Sequence, residues 1–163
     1  HLLLNKMAGR RVIVAGRRAE KMAKAKELGA DLVVDTKLED LPWTITEATD
    51  GLGADLVIEA TGSKEIWEAS PRFVRKGGTV LLFGGCPSGT KACFDAGHLH
   101  YDEITIMGAF HFTPAAVREA YELLVSGKVD TKPLISGEFA LKDIHTAFEE
   151  LIAGRGIKYA IIP

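Results

Sequence analysis

Apolar residues follow two rhythms along this chain. Over residues 1–110, short apolar runs such as Val12-Ile-Val-Ala15, Leu32-Val-Val34, Leu56-Val-Ile58 and Val80-Leu-Leu-Phe83 are separated by longer amphipathic stretches. Runs of that length, bounded by glycine or charge, suit strands buried on both faces. They predict strands over 12–15, 30–35, 54–61, 78–84 and 103–109. Between them, helices are predicted from punctuation. One occupies the opening segment and ends at Gly9. A second follows Gly16 and closes at Gly29, where a helix terminus favours a left-handed residue. A third runs from Leu41-Pro42 to the Gly51-Leu-Gly53 turn. A fourth starts after Ser63 as N-cap and reaches about residue 76; Pro71 inside it forces a kink or two short pieces. Residues 85–102 read as a long loop. Strands alternating with helices at this spacing predict an α/β fold, a doubly wound parallel sheet covered on both faces.

After residue 110 the rhythm changes. Thr113-Pro114 is an N-cap followed by proline at the first helical position. Val117, Ala120, Tyr121 and Leu124 then line one face of a helix that Gly127 closes. An extended piece over 132–139 precedes a second helix with Ile144, Phe148, Leu151 and Ile152 on one side, and a β run over 156–162 ends the chain. This divides the chain into residues 1–110 and 111–163. There are no repeats and no low-complexity segment.

Composition narrows the class. Of 163 residues, 47% are hydrophobic and 26% charged, enough apolar material for a packed core and too much for a disordered chain. A formal charge of −2 argues against broad affinity for nucleic acid or membrane surfaces, and no stretch approaches a transmembrane span. Cys86 and Cys93 fit no common zinc spacing; a cytoplasmic protein with reduced thiols is the expectation, with a local disulfide left open. The opening His1-Leu-Leu-Leu-Asn-Lys-Met-Ala-Gly-Arg10 is too short for a signal peptide. It reads as the end of a helix, so the chain is expected to be part of a longer one.

The candidate chemistry centres on Gly16-Arg17-Arg18. Two arginines at a helix start oppose the positive end of the helix dipole, at a cost of roughly a few tenths of a kcal/mol each. A bound anion would remove the conflict, and in such folds nucleotides sit at the strand carboxyl ends. Glu59, one position inside a buried strand, is read as a structural partner for a neighbouring helix and not as a general base. His98-x-His100 places two imidazoles on alternate positions of an extended segment, but no third ligand is nearby. His111 could approach a ligand after the fifth strand, whereas His145 reads as helix surface. Cys86 has no base to activate it and is read as unreactive. The spacings support no Ser-His-Asp arrangement.

The ordered set Val12-Ile-Val-Ala-Gly-Arg-Arg18, Lys24-Ala-Lys-Glu-Leu-Gly-Ala-Asp31, Val57-Ile-Glu-Ala-Thr-Gly62, Arg75-Lys-Gly-Gly-Thr-Val-Leu-Leu-Phe-Gly84 and Gly127-Lys-Val-Asp-Thr-Lys-Pro-Leu-Ile-Ser136 resembles the carboxyl-terminal half of the zinc-dependent medium-chain dehydrogenases, most of all the threonine, sorbitol and polyol enzymes. The resemblance covers nearly the whole chain. It implies a Rossmann-like domain entered at the interior of its first helix, so that the first strand and the Gly-x-Gly-x-x-Gly loop are missing. It also implies that the zinc ligands lie outside this chain and that residues 111–163 complete a catalytic domain.

In that family an acidic residue at the place of Gly16 selects NAD. Glycine followed by Arg17 and Arg18 implies NADP instead, with Lys21 near the same ribose. Thr61, Gly62, Phe83, Gly84, Gly85, Gly108 and Ala109 would bring backbone close to the cofactor. The implied parent activity is hydride transfer between NADP(H) and a secondary alcohol or polyol, with no catalytic residue in this chain, which alone is expected to be inactive. The rivals are a zinc-free NADPH-dependent quinone or enone reductase and a non-enzymatic flavodoxin-like binding module. Homo-oligomers are expected through strand 103–109, with Ile104, Ile106 and Met107 at or near the contact, or through a swapped strand. Losing a central strand would leave two neighbours with open ladders.

Overall fold

The computed structural model describes all residues from His1 to Pro163. Every strand pair in it is parallel. The chain forms two compact units, one of His1–Asp35 with Thr113–Pro163 and one of Thr36–Phe112.

In the first unit, α1 (Leu2–Met7) leads to β1 (Ile13–Gly16), α2 (Ala19–Glu27) and β2 (Leu32–Asp35). β1 and β2 pair in register from Ile13 opposite Leu32 to Gly16 opposite Asp35, and Val34 is fully buried. Gly9 and Gly29 close the two helices at φ +72° and +89°, as their positions predict. Asp31 ties the start of β2 to its surroundings: it accepts from Lys6 Nζ at 2.7 Å and from the Val12 amide at 2.6 Å.

The second stretch of this unit holds α6 (Pro114–Val125), β6 (Ile135–Ala140), α7 (Ile144–Ile152) and β7 (Lys158–Ile162), with β6 and β7 forming a parallel pair. Thr113 caps α6, its Oγ1 accepting the Ala116 amide at 3.2 Å. The predicted apolar face of α6 stays uncovered: Val117, Tyr121 and Leu124 are 48%, 65% and 50% exposed. α7 buries only Ala147.

The second unit contains α3 (Leu41–Ala48), β3 (Ala54–Glu59), α4 (Lys64–Ala69), β4 (Val74–Leu82), α5 (Ala96–Tyr101) and β5 (Thr105–Gly108), the sheet running β3-β4-β5. Val74, Val80 and Leu82 form its core, with Val57, Trp67, Ile104 and Ile106 packed against them. Asp40 caps α3 through the Trp43 amide at 2.9 Å.

Three local expectations change here. Pro71 splits its helix as expected, but the second piece is a 3-10 turn over Ser70–Phe73 and β4 begins at Val74, four residues earlier than the glycine-based boundary. Val74 pairs with Ala54, and the register then shifts around Gly77, which sits at φ +67°. Ser63 occupies the N-cap position of α4 with extended backbone, yet its hydroxyl bonds the Glu65 carboxylate instead of a helix amide. The loop expected over 85–102 contains α5, capped by Asp95 through the His98 amide at 2.9 Å. Six residues give too few turns for a periodic signal.

β1 has β2 as its one ladder partner, and β3 has β4. No helix is long and apolar enough to cross a membrane.

Candidate functional site

The predicted site residues fall into two groups, one in each unit. In the first unit, β1 delivers Gly16, Arg17 and Arg18 into the amino terminus of α2. Arg18 is the N-cap, extended at φ −111° and ψ 112°, and its side chain caps nothing. The first helical bond is the Met22 amide to the Arg18 carbonyl at 3.0 Å, so the amides before it have no intrahelical acceptor. Arg17, Arg18 and Lys21 are exposed, and no carboxylate lies within ion-pair distance of any of them. Beside Lys21 lies an open groove of about 240 Å³, lined by Glu20, Lys24, Ser136, Gly156 and Ile157.

Gly16 is informative because the fold does not demand it. Its φ is not positive, and a Cβ there would meet only Met22 Cγ, at an ordinary 3.5 Å. The chain could carry a side chain at this position, and instead has glycine, followed in sequence by two arginines without counter-ions.

In the second unit, Thr61, Gly62, Phe83, Gly84 and Gly85 converge at the carboxyl ends of β3 and β4. Glu59 organises them. It is 2% exposed and has no cationic partner. Its carboxylate accepts from the Thr61 amide at 2.6 Å, from the Thr61 hydroxyl and from the Gly62 amide at 3.1 Å. Its carbonyl accepts the Phe83 and Gly84 amides at 2.9 and 2.8 Å. The expectation that Glu59 serves a neighbouring helix is therefore corrected: it holds two strand-end turns together. A buried carboxylate satisfied wholly by N–H and O–H donors is a hydrogen-bonding hub. α4 joins the cluster through Trp67, whose indole N–H donates to the Gly84 carbonyl at 2.8 Å.

The glycines of this cluster divide by cause. At Gly62, φ is +70° and a Cβ would lie 2.4 Å from the Gly85 carbonyl oxygen. At Gly84 it would lie 2.3 Å from the Gly62 nitrogen. Internal packing requires both. A Cβ on Gly85 or Gly108 would meet nothing within 4 Å, so neither packing nor conformation explains them. At the ends of β4 and β5 this bare backbone faces open space, which leaves it accessible to a ligand. Gly108 lies opposite Leu82, and the Ala109 amide donates to the Leu82 carbonyl at 3.2 Å.

The histidine pair is corrected as well. His98 and His100 stand on α5, not on an extended segment. His98 Nδ1 meets Asp102 Oδ2 at 2.7 Å and Nε2 meets the Pro71 carbonyl at 3.0 Å, while His100 packs edge-on against Tyr101. No three His, Cys, Asp or Glu side chains come together anywhere in a way that could hold a metal ion. The chain's own residues therefore do not fit a zinc centre. His111 sits at φ +64° with its ring 3.8 Å from that of Phe110, and His145 is exposed on α7. Both cysteines are free thiols. Burial, followed by the charges of Glu59 and Glu65, pushes the Cys86 thiol up, which keeps it protonated.

Two residues of consequence escaped the sequence reading. Trp67 carried only an apolar signal. Gly154, which lies against Arg18, looked like any glycine after a helix.

Parallel strand pairs with helices between them and turns at the strand carboxyl ends define an α/β class of fold whose ligands sit at those strand ends. Comparison with known proteins makes this specific. The chain belongs to the zinc-binding dehydrogenase family, whose model matches residues 2–126. It is 32% identical over 162 residues to D-arabitol-phosphate dehydrogenase of Enterococcus avium, covering 98% of this chain and 46% of that protein. Human (Homo sapiens) sorbitol dehydrogenase is 32% identical over 164 residues, covering 96% of this chain and 44% of its own length. Among solved structures, benzyl alcohol dehydrogenase from Acinetobacter calcoaceticus superposes with a TM-score of 0.90 at 29% identity, covering 98% of this chain and 45% of that one. A zinc-binding dehydrogenase from Sinorhizobium meliloti 1021 bound to NADP gives a TM-score of 0.90 at 28% identity, covering 99% and 48%. The chain thus spans about half the length of the relatives it matches, and their C-terminal domain is Rossmann-like.

Proposed function

We propose that this chain is the cofactor-binding portion of an oxidoreductase that transfers hydride between NADP(H) and a secondary alcohol or polyol. The observation that carries the cofactor choice is Gly16: a glycine that neither conformation nor packing requires, followed by two guanidinium groups without counter-ions. Space plus unpaired arginine is what a ribose 2′-phosphate needs, and an acidic side chain at that place would repel it. The NADP bound by the Sinorhizobium meliloti relative supports the same reading.

The bound cofactor supplies the hydride chemistry. The residues of this chain bind and orient it. In the first unit Arg17, Arg18 and Lys21 are assigned to the phosphate, and in the second unit the backbone of Gly85, Gly108 and Ala109 is assigned to the nicotinamide. Glu59, Thr61 and Gly62 keep the β3 turn in place beneath. Zinc ligands would come from outside these 163 residues, and this chain alone binds cofactor without turning over alcohol. The uncovered faces of α6 and α7 support a reading in which residues 111–163 pack against a further domain. The second edge of β5, open in the strand order β3-β4-β5, supports a homodimer through that strand in a cytoplasmic enzyme.

Titrating the purified protein with NADPH and NADH tests the cofactor assignment. NADPH binds more tightly; Arg17→Ala and Arg18→Ala each reduce the preference about tenfold, the loss of one charge-assisted contact, and Gly16→Asp reverses it. Equal affinities, or a preference indifferent to both arginines, would refute the assignment.

A further inference from the structure

Arg18 is not a free surface side chain. Its guanidinium lies against Gly154, in the turn between α7 and β7. A Cβ on Gly154 would sit 3.0 Å from Arg18 Cζ, 3.0 Å from Nη1 and 3.3 Å from Nη2. Three nearly equal distances mean that the guanidinium plane faces the glycine broadside. The N–H bonds of a guanidinium lie in its plane, so this stacking leaves the donor edges open while fixing their direction.

The wall behind Arg18 is itself anchored. The Gly154 amide donates to the Leu151 carbonyl at 3.0 Å, and the Arg155 amide donates to the Glu150 carbonyl at 2.9 Å. The Arg155 side chain grips the Glu150 carboxylate with two contacts of 2.5 and 2.7 Å. Further on, the Ile157 amide donates to Ser136 Oγ at 2.8 Å. The turn is therefore held at both ends, and only a residue without a side chain lets the guanidinium lie flat on it.

We propose that Gly154 is a positioning residue for Arg18, so that the α7–β7 turn sets the discrimination between phosphorylated and unphosphorylated dinucleotides without touching either. This rests on the reading of Arg18 as a phosphate donor. The plainer role for Gly154 is that of a left-handed residue after a helix, φ +78°. Gly127 separates the two roles. It closes α6 at φ +68° through the same kind of bond to the Leu124 carbonyl, but a Cβ there meets nothing within 4 Å. Gly127→Ala carries the same backbone strain and leaves Arg18 alone.

The experiment measures the ratio of dissociation constants for NADH and NADPH in the full-length protein. Gly154→Ala and Gly154→Asn are compared with Gly127→Ala and Arg18→Ala. Asparagine tolerates the left-handed region better than alanine and still adds the Cβ, so a folded variant is in hand even if Gly154→Ala fails to fold. The expected result is a ratio about tenfold lower in the Gly154 variants, the loss of one charge-assisted contact, and unchanged in Gly127→Ala. Arg18→Ala combined with Gly154→Asn falls no further than Arg18→Ala alone, because the two changes remove one contact. If Arg18→Ala lowers the ratio while the Gly154 variants keep it, the positioning role is overturned and the phosphate assignment stands. If wild type shows no NADPH preference, or Arg18→Ala leaves it intact, the phosphate assignment itself fails and takes the positioning role with it.

Discussion

Gly84 and Glu59 fit only as a pair: the Gly84 amide donates to the Glu59 carbonyl at 2.8 Å, and a Cβ on Gly84 would stand 2.8 Å from Glu59 Oε2. The same Cβ would press on the Gly62 and Thr61 nitrogens, which are backbone atoms and cannot swing aside. Gly84→Ala is therefore expected to cost about 2–3 kcal/mol in urea unfolding, as forced insertion into packed backbone does. Its neighbour gives the contrast. Gly85→Ala meets open space, so stability should stay within about 0.5 kcal/mol of wild type while cofactor affinity drops. Equal destabilisation by both substitutions would contradict this division between packing glycines and ligand-facing ones.

Glu59→Gln tests the carboxylate as a hub. Three donors point at it, and a carboxamide must turn an NH2 group toward one of them. The expected loss is about 2–3 kcal/mol, the range for a buried group left unsatisfied, against about 0.5 kcal/mol or less for Glu47→Gln on the exposed face of α3. A second readout follows the charge. Glu59 is one of the causes, after burial, that keep the Cys86 thiol high. Removing it lowers that pKa, so alkylation of Cys86 at fixed pH should quicken relative to exposed Cys93. An unchanged ratio of the two rates would show that the Glu59 charge does not reach the thiol.

How much of this was legible in the sequence depends on whether a feature announces itself locally. Continuous apolar runs located β1 to β5, because a run of that kind suits a strand in a covered parallel sheet, whereas β6, with Gly137 and Glu138 inside it, showed only as an extended piece. Thr113-Pro114 and Gly127 bounded α6 because caps are written in neighbouring residues. α5 was missed since six residues complete less than two turns, although Asp95 was there as its cap. The Gly16-Arg17-Arg18 turn was visible as an electrostatic conflict at a helix start. Glu59 was visible as a charge in a buried strand, but its partners were not, because they lie two and three residues on and across on β4. Gly154 could not be found at all: its contact with Arg18 bridges well over a hundred positions, and nothing in Ala153-Gly154-Arg155 records it.

Of the three residues expected at the oligomer contact, Met107 is the one that can report on it. Ile104 and Ile106 were expected near a two-fold contact through β5, but both pack on the Val74, Val80 and Leu82 core. Ile106→Lys would unfold the unit before it reported on any interface. Met107 alternates to the other side and is 50% exposed. Met107→Lys is the informative change: the fold should survive, with sedimentation velocity shifting from dimer to monomer. A wild-type protein that sediments as a monomer, or a variant that stays dimeric, would remove β5 as the contact.

Asp102 sets the last expectation, a stability that falls in acid. Its carboxylate meets Lys76 Nζ at 2.8 Å and His98 Nδ1 at 2.7 Å, while its carbonyl accepts the Gly77 amide at 2.8 Å, so one residue clasps α5 to the start of β4. Lys76 first, and then His98, hold the Asp102 carboxyl below its ordinary range. A carboxyl whose pKa is lower folded than unfolded stabilises the fold fully above the unfolded value of about 3.9. That contribution is lost as pH falls through the folded value. Asp31, held down by Lys6 and the Val12 amide, adds loss in the same direction. Melting temperature should hold steady from pH 7 to about 5 and then drop below about pH 4. In Asp102→Asn it starts lower and falls less steeply over that acid range, since one of the titrating groups is gone. Lys76 is 82% exposed, so its share is screened, and 1 M NaCl should flatten part of the wild-type slope. The His98 contact is more sheltered, with 30% and 22% of the two side chains exposed, and should persist in salt. Parallel acid profiles for wild type and Asp102→Asn would mean that this clasp does not contribute to the pH dependence.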